Sequence, residues 1–245
     1  SMKLKVEHLS LAFDSRPVLN DISFDVHDRE FVSILGPSGC GKSTILNILA
    51  GVLEGYEGRI EVDGSPLGKA GRHFAYMPQN DLLLEWRTIL DNVSLYGEIH
   101  HDRTLKQKAL AQFKTFGLEG YEKAYPSALS GGMRQRAAFL RTSLCNADIL
   151  LLDEPFGALD VITRNEMQDW LLGLRERYER TTLLVTHDID EALYLSDRIV
   201  ILSARPARIL KEIDLRKEGK SRDWLFSQSR LKKDIYDLLK GENHA

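Results

Sequence analysis

The sequence predicts an α/β protein in which a mixed, mainly parallel sheet forms the core. An antiparallel β subdomain precedes that core and an α-helical subdomain is inserted into it. Three observations carry this expectation. Ile149-Leu150-Leu151-Leu152 and Leu183-Leu184-Val185 are unbroken apolar runs, the pattern of central parallel strands covered on both faces. Lys3 to His8, Ile22 to Val26 and Arg59 to Val62 alternate apolar with polar, as antiparallel strands with one wet face do. Between Asp81 and Leu144, β-branched residues thin out and apolar residues take helical spacing.

Taken in order, the alternating segments build the N-terminal β subdomain, the last of them closing on an Asp63-Gly64 turn. Phe31-Val32-Ser33-Ile34-Leu35 reads as a buried strand, and Ile45, Leu46, Ile48 and Leu49 mark the helix after it. The helical subdomain is expected over about 81–145. Within it Met133, Ala137, Leu140 and Leu144 share one face of a helix that begins at about Ser130, a residue able to cap it. Ile199 to Leu202 and Arg208 to Leu210 flank Arg205-Pro206 as a hairpin. Leu231, Ile235, Leu238 and Leu239 form the stripe of an amphipathic packing helix over about 222–241. No internal repeat interrupts the chain, and 1–245 reads as a single domain.

Composition narrows the function. The 245 residues carry 33 Lys and Arg against 36 Asp and Glu, a net charge of −3, which gives no broad basic field for nucleic acid. Two cysteines, Cys40 and Cys145, are too few for a disulfide framework, so a reducing cytosol is expected. No apolar run approaches the length of a membrane span.

The chemistry begins at Gly36-Pro37-Ser38-Gly39-Cys40-Gly41-Lys42-Ser43, set between the apolar run and the helix. Glycines let the backbone bend tightly and turn successive N–H groups inward, and the helix N-terminus adds partial positive charge. That is a nucleoside-triphosphate cradle, and it makes the core a P-loop NTPase core. Gly36 through Ser43, with Thr44, are the expected nucleotide contacts; Lys42 reaches the β- and γ-phosphates, and Ser43 offers its hydroxyl to Mg²⁺. Ile149 to Leu152 then runs into Asp153 and Glu154. Strand neighbours face opposite ways, so one acid can meet the metal while the other swings toward the γ-phosphate. Asp153 is the expected Mg²⁺ ligand, acting through water, and Glu154 the expected general base.

Leu129-Ser130-Gly131-Gly132 supplies a second glycine-rich helix start, for which one chain has no evident use. With Gly36 to Ser43, Gln79, Leu129 to Gln135, Ile149 to Glu154, Ala158-Leu159-Asp160 and His187, nearly the whole chain resembles the nucleotide-binding subunit of ATP-binding-cassette (ABC) transporters. The resemblance implies ATP and Mg²⁺ as cofactors and a head-to-tail dimer, in which Ser130 and Gly132 close over ATP held by a second copy. It implies that Gln79 senses Mg²⁺ and the attacking water, that His187 holds the γ-phosphate, that Phe13 stacks on adenine, and that Asp160 lies at the subunit interface. Gly157 departs from the serine that many relatives carry.

The runs Leu82 to Val93 and Glu154 to Asp160 look like the nitrate, sulfonate and taurine importer branch, which also takes up thiamine-precursor pyrimidines, although Glu85 replaces a common proline. The implied partners are a membrane permease, docked near Gln79 to Val93 beside Trp86, and through it a solute-binding protein. The implied location is the cytoplasmic face of the cell membrane. Three other readings share the loop. A cassette exporter, or an importer of another branch, would be told apart by which permease genes lie beside this one. A soluble non-transport cassette ATPase would usually carry a coiled-coil insertion or tandem cassettes, and a phosphotransferase would leave Leu129 to Gly132 without purpose.

Overall fold

The computed structural model describes residues 1–67 and 73–243. The N-terminal third holds β1 (Met2–Phe13), β2 (Arg16–His27), β3 (Phe31–Leu35), α1 (Lys42–Leu49), β4 (Glu57–Val62), the two-residue β5 (Ser65–Pro66) and β6 (Phe74–Met77). Then come α2 (Ile89–Val93), α3 (Leu95–Ile99), α4 (Leu105–Gln112) and α5 (Gly131–Ser143). The last part alternates β7 (Ile149–Asp153), α6 (Val161–Arg177), β8 (Thr181–Thr186), α7 (Ile189–Leu195), β9 (Arg198–Leu202) and β10 (Ile209–Asp214), and closes with α8 (Arg222–Phe226) and α9 (Ser229–Asn243).

Two sheets result. An antiparallel one has the order β2-β1-β4-β5; a six-stranded one has the order β10-β9-β3-β8-β7-β6, parallel throughout except where β10 returns against β9. β1 runs well past the alternation that ends at His8. Register shifts between Val6 and Leu9 and between Leu9 and Leu11 reset the two-residue period, so the pairing continues where the pattern in the sequence breaks.

The parallel strands are buried on both faces, as their apolar runs require. Leu35, Leu152, Leu184 and Ile201 point into one apolar cluster with residues of α5, α6 and α7. Ile34, Leu151, Val185 and Val200 point into the other, with α1 and the antiparallel sheet. Arg198 at the head of β9 joins the two sheets: it donates to Glu30 through Nε at 3.1 Å and Nη2 at 2.8 Å, and through Nη2 to Asp25 Oδ1 on β2 at 2.8 Å.

The C-terminal stretch expected as one helix over 222–241 is two. Ser221 Oγ accepts the Trp224 N–H at 3.0 Å and starts α8, while Ser227 donates its hydroxyl to Trp224 O at 2.6 Å and its N–H to Asp223 O, closing that helix after one turn. α9 then starts afresh, with Ile235 buried and Leu231, Leu238 and Leu239 packed on the first cluster.

Candidate nucleotide-binding and hydrolysis site

Four parallel strands end at one edge, and each feeds a functional segment: β3 the loop from Gly36, β6 Gln79, β7 Asp153 and Glu154, β8 His187. Register aligns them, with Leu35 opposite Thr186, Asp153 opposite Val185 and Met77 opposite Leu152. The carboxyl edge of a parallel sheet is where such folds bind ligands.

The loop is shaped before any phosphate meets it. Gly41, at φ 118°, stands as the N-cap of α1; a Cβ there would lie 3.0 Å from a Leu19 methyl as well as in a backbone region that side chains avoid. Lys42 is buried, and its Nζ donates to Gly36 O and Pro37 O, both at 2.8 Å, leaving one N–H to spare. Ser38 and Gly39 are exposed, Pro37 and Thr44 half-buried, and Gly36 is buried. Cys40 is a buried free thiol whose pKa burial raises, so it is inert packing within the loop.

Asp153 is fixed from two sides. Ser43 Oγ donates to its Oδ1 at 3.1 Å and Tyr76 Oη donates to its Oδ2 at 2.7 Å. Burial, then the bond to Asp153, pushes the Tyr76 phenol well above its ordinary range, which keeps it a donor at every working pH. Sequence reading gave Tyr76 no role. Only the pairing of β6 with β7, which sets Tyr76 opposite Leu151, brings it to the acid. No group of three or more His, Cys, Asp or Glu side chains among the described residues could hold a metal unaided. A serine hydroxyl beside one carboxylate is instead the hard-oxygen donor set of Mg²⁺ that takes its other ligands from phosphate and water, so the residues fit that ion.

Glu154 reaches the same edge by a route that alternation along the strand does not anticipate. It leaves β7 at φ 43°, in the left-handed region, while its N–H donates to Val185 O at 2.9 Å. A side chain held there costs on the order of 1–2 kcal/mol. The turn brings its carboxylate to His187, whose Nδ1 donates to Glu154 Oε1 at 2.9 Å. Gln79 is exposed, and its Nε2 lies where a Cβ on residue 157 would come within 2.9 Å. Glycine in place of serine therefore lets the Gln79 amide rest against the segment that follows Glu154. Gln135 of α5 ties this corner together through Nε2, donating to Pro155 O and, weakly, to Gln79 O at 3.5 Å.

Ser130, Gly132 and Asp160 come together elsewhere. They line one depression, with Gly131, Leu159 and Thr163, that includes no residue of the phosphate loop. Ser130 Oγ accepts the Met133 N–H at 3.2 Å and so caps α5. Asp160 caps α6, accepting the Thr163 N–H at 2.9 Å and its hydroxyl at 2.8 Å, bonds that lower its carboxyl pKa. Phe13, at the end of β1, is 43 % exposed and takes no place in the core.

The segment between β6 and α2 carries an exposed apolar knob. Trp86 is 75 % exposed and Leu82 lies on the surface, while Leu83 turns inward. Asn92, fully buried, holds the segment: its Oδ1 accepts the Leu84 N–H at 2.7 Å and its Nδ2 donates to the carbonyls of Leu84, Arg87 and Thr88. Arg134, on the first turn of α5, clamps it with bonds from Nε to Asp81 at 3.0 Å and from Nη2 to Glu85 at 2.7 Å. Glu85, the departure from proline, thus has a partner.

A phosphate loop at β3, an acid pair at β7, a histidine at β8 and a separate serine–glycine helix start define an ATP-binding cassette that hydrolyses ATP. The profile of the ABC transporter family matches residues 19–157, and the chain belongs to that family. It is 46 % identical to the formylaminopyrimidine import ATP-binding protein of Halalkalibacterium halodurans, over 96 % of each chain. It is 44 % identical to the aliphatic sulfonates import ATP-binding protein of Bacillus cereus, over 80 % of this chain and 78 % of that one. The taurine import ATP-binding protein of Rhizobium johnstonii is 41 % identical, over 86 % and 84 %. Among solved structures, a bacterial ABC transporter cassette in dimeric form superposes with a TM-score of 0.72 at 29 % identity, covering 87 % of this chain and 99 % of that one. A dimeric post-hydrolysis state of that cassette, bound to ADP and phosphate, gives 0.69 at 28 % identity over the same shares.

Proposed function

We propose that the chain drives a membrane importer of a small solute of the sulfonate, taurine or formylaminopyrimidine kind. It would work as a head-to-tail pair at the cytoplasmic face of the membrane, bound to a permease that a solute-binding protein feeds. Among the described residues no helix is long and apolar enough to cross a membrane. The relatives' names support the import role, and the exposed Trp86 knob suits a docked permease helix.

The observation that carries the chemistry is the meeting of Ser43 with Asp153 and of Glu154 with His187 at one sheet edge. The loop amides and Lys42 bind the phosphates and stabilise charge on the transferring group. Glu154 orients and deprotonates the attacking water, and His187 holds the γ-phosphate while fixing the carboxylate. Ser43 and Gln79, with Asp153 through water, would hold Mg²⁺, which supplies neutralising charge at the phosphates. Ser130 and Gly132 meet the γ-phosphate of the partner copy's nucleotide, Asp160 lines that interface, and Phe13 stacks on adenine.

Glu154→Gln tests the hydrolytic assignment: ATP still binds and turnover falls about 10²–10⁴-fold, the range for a lost general base. Wild-type turnover in that variant would overturn it. Co-purification of the tagged chain from native membranes tests the transport role, with a polytopic permease as the expected partner and purely soluble partners as the contrary result.

A further inference from the structure

Thr186 ends β8 and His187 follows, so the corner between β8 and α7 sets where the imidazole sits. Beneath that corner lies Glu191, in the first turn of α7 and 4 % exposed. Thr186 Oγ1 donates to Glu191 Oε2 at 3.2 Å and accepts the Asp188 N–H at 3.0 Å. Glu191 Oε1, also buried, has no hydrogen-bond partner among the described residues. An ionised carboxylate with half its acceptors unused is costly in such a place.

The charged groups around it do little to offset that cost. Asp188 at the N-cap of α7 and Glu154 beyond β7 repel a negative charge there, while Arg164 of α6 opposes them. Arg164 is already committed to Phe156 O and Leu159 O. On the other elements packed against α7, Lys232 of α9 pairs with Asp190, Arg222 of α8 with Asp169, and Lys220 donates to Leu193 O. Burial first, then Asp188, pushes the Glu191 carboxyl up to about 8. Burial therefore favours the protonated form of the carboxyl.

We propose that Glu191 is a positioning residue for ATP hydrolysis: a buried carboxyl that, through Thr186, fixes the corner carrying His187. Its ionisation sets a negative charge behind the Glu154–His187 pair, where a polyanionic transition state must be stabilised, and slows turnover without weakening ATP binding. The inference rests on the roles given above to Glu154 and His187.

The test compares kcat and KM for ATP across pH in the full chain and in Glu191→Ala, Glu191→Gln and Glu154→Gln. Wild-type kcat should fall about tenfold between pH about 7 and pH about 9 as the carboxyl titrates, with KM unchanged. Glu191→Ala should lower kcat at neutral pH; Glu191→Gln, uncharged and of the same shape, should rescue it and lack the alkaline fall. A fall that persists in Glu191→Gln, or that appears in KM, overturns the proposal, and so does failure of Glu191→Gln to fold. An infrared spectrum at neutral pH gives a readout independent of turnover: the carbonyl band of a protonated acid should be present in wild type and absent from Glu191→Gln, and its absence from wild type overturns the proposal. If Glu154→Gln turns over like wild type, the assignment of Glu154 fails instead, and the infrared result separates the two failures.

Discussion

Tyr76→Phe should weaken Mg²⁺ binding while leaving the fold intact. Phenylalanine keeps the ring but removes the O–H that donates to Asp153 Oδ2 at 2.7 Å, a short bond to a buried acid. A hydrogen bond to a charged group contributes about 1.5–3 kcal/mol. The same figure follows from metal chemistry, where losing a partner that orients a ligand costs about 10–100-fold in affinity, or roughly 1.4–2.7 kcal/mol. Asp153 keeps the Ser43 hydroxyl at 3.1 Å, so it is loosened rather than freed. The assay is the rise in Tm with ATP as Mg²⁺ is titrated, together with the Mg²⁺ dependence of ATPase activity. The half-saturating Mg²⁺ concentration should rise about 10–100-fold in both. A folded Tyr76→Phe with the wild-type Mg²⁺ dependence would show that Asp153 does not depend on this bond.

Other outcomes follow from features away from the phosphates. Arg198→Met strips the buried Glu30 carboxylate of its guanidinium and should cost about 3–5 kcal/mol by chemical denaturation, whereas Glu30→Leu with Arg198→Met should return most of that loss. Because the Glu191 carboxyl stands at about 8 against an ordinary 4.5, the folded chain keeps a proton that the unfolded chain releases. That contribution to stability is complete below the ordinary value and is lost as pH rises to the folded one, at about 1.4 kcal/mol per unit. Denaturation across that window should show a decline of roughly 3–5 kcal/mol in wild type that Glu191→Gln lacks. Asn92→Ala removes the four side-chain bonds from Asn92 to Leu84, Arg87 and Thr88 and should lower stability by about 2–4 kcal/mol, with faster proteolysis beside Trp86 as the local readout.

Segments whose neighbours repeat one physical demand were legible in the sequence. Ile149 to Leu152 and Leu183 to Val185 are apolar throughout because helices and a second sheet bury both their faces, and the phosphate loop is legible because glycine at residue 41 answers a backbone need. What escaped depends on register and dihedral angle. Tyr76 meets Asp153 only because two strands far apart in sequence pair as they do, and Glu154 turns toward His187 through a φ that no residue pattern announces. The bulges in β1 hid half of that strand, and two serines hid the break between α8 and α9. Nothing in the sequence marks Glu191; its burial is a property of packing.

The Arg134 clamp gives the molecule a mechanical character. The same short stretch of α5 carries Ser130 at its cap and, one turn on, the guanidinium gripping Asp81 and Glu85. A permease docked at Trp86, as proposed above, would therefore pull on a segment tied directly to the serine–glycine end of α5. The thirteen residues of α5 make a crank about 20 Å long, gripped near one end by the segment that carries the knob. On the proposed head-to-tail pair, a shift there would re-aim the serine–glycine end of the helix, and a tug on the outside of the cassette would become a change in how well two nucleotide sites shut.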